Sequence, residues 1–161
     1  MRPTPAPKPI RNAFSLVEMM VVLFVMGVLA AAIVMVLPGD EARLRGEAER
    51  LAARTLAARD EAIAAGAPVS LVVSGAGYYF EERRGGTWQP AHGRGLGLTP
   101  WDEGTRVSLG LAGGQDGGRT RVVFDPVGLA SSDVSVRMAR GAQARVLTIA
   151  RDGRVRLDGG R

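Results

Sequence analysis

The sequence predicts an α+β fold: a long N-terminal helix, one half membrane-spanning and the other amphipathic, packed on an antiparallel β-sheet head. Three observations predict it. Phe14 to Leu37 are apolar or small except for one carboxylate, Glu18. From Glu41 to Ala65 the apolar positions recur every three or four residues, as on one helical face. After Pro68 the apolar period changes to two, the spacing of strands.

The elements follow in chain order. Residues 1–13 form a short leader in which Arg2, Lys8 and Arg11 are basic and nothing is acidic. Residues 14–37 are the first helical segment. Its uncharged part, Met19 to Leu37, is about 28 Å long as a helix, close to the roughly 30 Å hydrocarbon core of a bilayer. A secretory signal has a shorter apolar region ending at a small-x-small site, whereas Ile33 to Leu37 continue past Ala30-Ala31-Ala32. The three leader cations and the acids Asp40 and Glu41 beyond the span place the N-terminus in the cytoplasm and the head outside it. Glu18 is then the puzzle. A carboxylate at mid-depth costs about 2.5–3.5 kcal/mol on insertion scales, and no Arg or Lys follows within one turn. Either it rests at the headgroup boundary, where the cost is smaller, or it has a cationic partner in an assembled state.

Pro38-Gly39 breaks the helix, and Asp40 is placed to cap the next one. Residues 40–66 form the amphipathic helix, with Leu44, Ala48, Leu51, Thr55, Ala58 and Ala62 on one face. Arg43, Glu47, Arg50 and Arg54 fall largely elsewhere, and Glu41/Arg45 and Arg43/Glu47 stand at i,i+4. Gly66 and Pro68 stop it.

The β-rich head, 67–161, contains strand patterns at Val69–Val73, Tyr78–Phe80, Thr105–Leu111, Arg119–Phe124, Val134–Met138, Ala144–Ile149 and Arg154–Leu157. Asp125-Pro126-Val127-Gly128 has the order of a type I turn, and Asp152-Gly153 fits a tight hairpin. Residues 84–104 are expected to be a loop in which at least one of Trp88 and Trp101 covers the core. Residues 112–118 form a second, glycine-rich polar loop.

Composition narrows the function. With no cysteine there is neither a disulfide nor a thiolate zinc site, and His92 is the single histidine. "GAGYYF" and "GRGLGL" lack the spacing of a dinucleotide loop. His92 has no neighbouring serine in sequence, and Glu81-Glu82-Arg83-Arg84 is expected to be a solvated charge cluster. The sequence predicts no enzyme, no cofactor and no metal site. The formal charge of +5 is uneven. From Phe14 to Gly118 nine arginines face twelve acids, whereas from Arg119 to Arg161 nine face four.

Phe14-Ser15-Leu16-Val17-Glu18, after a basic leader and before an apolar helix, resembles the class III signal of type IV pilins and pseudopilins. The resemblance implies cleavage by a prepilin peptidase between Ala13 and Phe14, and N-methylation of Phe14. It also implies an assembly role for Glu18, paired with the terminal amine of an adjacent subunit. The family has glycine before the cut where this chain has Ala13, which implies slower cleavage. In the head, Val122 to Gly128 and Arg151-Asp152-Gly153-Arg154-Val155 are similar to the C-terminal region of GspH pseudopilins and FimT-type minor pilins.

This resemblance implies an inner-membrane, single-pass subunit with a periplasmic head, assembled into a type II secretion pseudopilus, at its tip. The implied partners are the other minor pseudopilins, the major pseudopilin, the prepilin peptidase and the inner-membrane secretion platform. The alternative is a FimT-like minor pilin that binds DNA during uptake. The candidate DNA-binding residues would be Arg151, Arg154 and Arg156, the last two on one strand face opposite Val155 and Leu157.

Overall fold

The computed structural model describes residues 15–36, 39–92, 95–111 and 118–160, with side chains to residue 32, from 39 to 92, 95 to 110 and 118 to 159. The leader, Ala13 and Phe14, and most of the expected loop 112–118 lie outside the described residues. The chain divides into two compact units, Met1–Leu37 and Pro38–Arg161.

The first unit holds helix α1, Leu16–Val36. Ser15 starts it: its carbonyl accepts from Met19 N–H, and its hydroxyl accepts from Val17 N–H at 3.3 Å.

The second unit begins with α2, Asp40–Ala65. Its buried residues include all six positions of the predicted stripe, from Leu44 to Ala62. Gly39 occupies the N-cap, and no side chain caps this end. Asp40 instead binds Arg140 Nε at 3.0 Å, beside a Glu41–Arg145 pair. The expected Glu41/Arg45 and Arg43/Glu47 pairs are therefore replaced, because Arg45 turns to Glu49 and Glu47 is drawn inward. At the other end Gly66 adopts φ 61°, the left-handed conformation that closes a helix without a Cβ clash.

Among the described residues nine strands follow, all antiparallel. They are β1 Val69–Ser74, β2 Gly77–Arg84, β3 Thr87–Pro90, β4 Thr99–Pro100, β5 Arg106–Leu111, β6 Arg119–Phe124, β7 Val134–Arg140, β8 Gln143–Ile149 and β9 Val155–Gly160. The first sheet runs β3-β2-β1-β6, with β4 also paired to β2; the second runs β5-β7-β8-β9. Helix α2 packs on β1 and β6 of the first sheet and on β7, β8 and β9 of the second. Its stripe thus seals both sheets into one core around Leu51, Leu71, Phe80, Phe124, Met138 and Leu147. Each such side chain contributes about 1.5–3 kcal/mol by leaving water.

The expected loop at 84–104 contains β3 and β4. Both are short and glycine- or proline-flanked, and both borrow their order from the edge of β2. A Cβ at Gly77 would strike the Thr99 carbonyl oxygen, so β4 can approach only a glycine. Trp101 leans on the core, 5.1 Å from the Tyr78 ring, and donates Nε1–H to Ser74 O at 2.8 Å. Trp88 lies on β3 instead, on the face of the sheet away from the core.

The Asp125–Gly128 turn closes as predicted. Gly128 N–H meets Asp125 O, and the Asp125 carboxylate accepts from Val127 and Leu129 N–H. The β8–β9 connection is a tight hairpin turn with Asp152-Gly153 in it. Ala150 O accepts from Gly153 N–H, Ala150 N–H donates to Arg154 O, and Gly153 takes φ 77°. A Cβ there would meet the Gly128 carbonyl oxygen, which locks this hairpin against the other turn.

Candidate functional site

The N-terminal site is built on α1. Glu18 lies in its first turn, where the positive end of the helix dipole favours a carboxylate. It is exposed, and no cation pairs with it among the described residues. The apolar side chains around it are bare on every side, from Leu16 at 76% to Val22 at 44% exposed. A surface of that kind needs cover from a bilayer or from other helices. Among the described residues no helix is long and apolar enough to cross a membrane. The described side chains of α1 stop at Ala32, and 33–37, which complete the span in the sequence, lie outside them.

The charges of the head are arranged differently from the solvated clusters expected. Glu82 is 8% exposed, held by Arg84 at 3.0 Å and by His92 Nδ1 at 2.5 Å. A carboxylate can only accept, so the His92 tautomer carries its proton on Nδ1. The hydrogen bond from His92, with Arg84 behind it, holds the Glu82 carboxyl below its ordinary value against the opposing pull of burial. Glu81 binds Arg121 across β1. Glu47, expected on the open face of α2, is 3% exposed. It takes Asp102 N–H and the Thr105 hydroxyl at 2.7 Å each, anchoring the chain before β5. Its partners lie more than fifty residues away, beyond the reach of a local sequence pattern. Arg54 bonds the Tyr78 and Thr99 hydroxyls and lies over the Tyr78 ring. Burial pushes the Tyr78 phenol above its ordinary value despite that cation.

The three C-terminal arginines are separated by their partners. Arg151 meets Asp133, at 3.6 Å through Nε and at 2.8 Å through its backbone N–H. Arg154 is bonded to Asp152, whose carboxyl is lowered by that hydrogen bond. Arg156 is exposed, with Val155 and Leu157 half-buried on the core side. An open cleft of 480 Å³ at the start of α2 is lined by Arg43, Asp102, Glu103, Gly104 and Arg140. It brings together two cations and two carboxylates without a nucleophile.

Comparison with known families settles what this architecture is. The family "Type II transport protein GspH" matches residues 47–153, more than half of the chain, and the "Prokaryotic N-terminal methylation motif" matches 9–34. The chain belongs to the GspH family.

Among curated proteins no sequence matches it. Solved structures share the fold of this GspH-family head. The crystal structure of the minor pseudopilin EpsH from the type II secretion system of Vibrio cholerae is 17% identical, with a TM-score of 0.62 over 74% of this chain and 96% of that one. The solution structure of E. coli GspH is 22% identical, with a TM-score of 0.58 over 74% and 89%. The type IV minor pilin FimU of Pseudomonas aeruginosa is 18% identical, with a TM-score of 0.53 over 73% and 92%. The fold is that of structural, pilin-like subunits.

Proposed function

We propose that this GspH-family chain is a minor pseudopilin of a type II secretion system. It is a single-pass inner-membrane protein whose head joins the periplasmic pseudopilus, at the tip, and helps export folded proteins. The observation that carries this reading is the pairing of a GspH head over 47–153 with a methylation motif over 9–34. The prepilin peptidase cuts between Ala13 and Phe14, and Phe14 becomes the methylated N-terminus. The apolar span 14–37 holds the subunit in the bilayer until the filament takes it up. Neighbouring pseudopilins, minor and major, then cover the bare sides of α1.

In that setting Glu18 has a defined task. A carboxylate in hydrocarbon is costly alone, and a terminal ammonium of a neighbouring subunit offsets that cost where the dielectric is low. The pair aligns subunits along the filament axis. Glu18→Val should leave membrane insertion intact and reduce recovery in sheared pseudopilus fractions at least about tenfold. Normal incorporation of Glu18→Val would remove this role from the carboxylate.

A second reading, a FimT-like minor pilin that binds DNA, draws support from the FimU likeness and from the exposed Arg156. The Asp133 and Asp152 partners of Arg151 and Arg154 weigh against it. Fluorescence anisotropy with labelled duplex DNA at about 50 and 200 mM salt separates the two readings. Steeply salt-dependent binding that is lost in Arg154→Ala/Arg156→Ala would favour DNA uptake. Absence of binding at both salts is the expected outcome.

A further inference from the structure

The two faces of the first sheet are chemically unlike. One packs on the core through Leu71, Phe80 and Val122. Strand alternation puts Tyr79, Glu81 and Arg83 of β2 on the other face, with Trp88 of β3 and Arg119 and Arg121 of β6. The arginines of β6 lie beside β1 and reach over it. The Arg121 guanidinium sits 4.9 Å from the centroid of the Trp88 ring and binds Glu81, and that of Arg119 sits 5.4 Å from the centroid of Tyr79. Arg83 approaches Trp88 from the neighbouring strand at 6.0 Å. Beneath them Ser70 and Val72 of β1, on the side away from the core, are 0% and 1% exposed. Arginine stems and aromatic rings roof this strand and keep the charged heads at the surface.

The roof is pre-arranged for carboxylates. A guanidinium held on an aromatic ring keeps its N–H edge for a second, planar partner. Arg121 shows both halves of that geometry at once, on Trp88 and on Glu81. Arg83 and Arg119 have the ring but no carboxylate among the described residues. Nucleic acid is the poorer fit, because a base would have to displace the guanidinium groups to reach either ring.

We propose that this face docks a carboxylate-rich segment of another protein, with Arg83 and Arg119 each taking a carboxylate as Arg121 takes Glu81. The surface does not depend on which filament the chain joins. The test uses the full chain in neutral detergent micelles, titrated into fluorescein-labelled hexaglutamate and, separately, labelled oligothymidylate. Hexaglutamate should bind saturably, more weakly at about 200 mM salt than at 50 mM. Binding should fall at least about fivefold in Arg83→Gln/Arg119→Gln. Arg151→Gln/Arg156→Gln should bind as the parent does. If the first double variant melts early, Arg119→Gln alone, at the exposed start of β6, should still lose about twofold. Failure of hexaglutamate to bind, equal losses in the two double variants, or tighter binding of oligothymidylate would each overturn the proposal.

Discussion

Glu47 holds Asp102 N–H and the Thr105 hydroxyl inside a face otherwise lined by Leu44, Ala48 and Leu51. Removing the carboxylate takes from the Asp102 N–H and the part-buried Thr105 hydroxyl the acceptor that anchors them. Glu47→Ala is therefore expected to cost about 1–3 kcal/mol in denaturant unfolding. Glu82 answers to pH instead. Its carboxyl titrates below the ordinary value because His92, and then Arg84, stabilise the anion. The stability it contributes is full above the unfolded glutamate value, about 4.3, and is lost as pH falls through the lower folded value. The melting temperature of the parent should drop between pH 5 and pH 3 more steeply than that of Glu82→Gln. Parallel curves would dissociate the pair from acid stability. Neither carboxylate is legible from its own neighbourhood in sequence. Glu47 stands three residues after Leu44 and four before Leu51, on the buried side of the helix, but its charge argues for solvent, and Glu82 sits in a run of four charges. What buries each is a partner segment delivered by the fold.

Among the elements, α2 was the most legible, because its six small or aliphatic positions follow one stripe that the sheets then cover. Leu51, fully buried at the centre of that stripe, should cost about 2–5 kcal/mol on truncation to Ala, read as a lower denaturant midpoint with unchanged slope. The Asp125–Gly128 turn was legible for a similar reason: Asp, Pro and Gly each meet a local backbone demand. Strands β3 and β4 were not, since Gly85, Gly86 and Pro100 argue for loop and only the open edge of β2 recruits them. The arginine-roofed face escaped sequence reading although its signal was present. Arg119 and Arg121 alternate on β6, as Tyr79, Glu81 and Arg83 do on β2, but nothing local says that β6 pairs with β1. The C-terminal arginines, closer together in sequence, make the more visible cluster, and two of them are held by aspartates.

At the scale of the molecule, Pro38–Arg161 is a compact unit with its own core. Residues 39–161 alone should melt within a few degrees of the full chain in detergent, monitored by circular dichroism. A much lower value would show that the apolar helix supports the head. The ion pairs Asp40–Arg140 and Glu41–Arg145 tie the first turn of α2 to the two arms of the β7–β8 hairpin. In the filament proposed for this chain the subunit would be a mechanical part, and these pairs are where a load on residue 39 first meets the head. Tension arriving at residue 39 meets these two pairs first, on two strands at once, before it reaches the buried stripe. The stripe from Leu44 to Ala62 then carries the load, because drawing α2 off the sheets would expose all six of its fully buried positions.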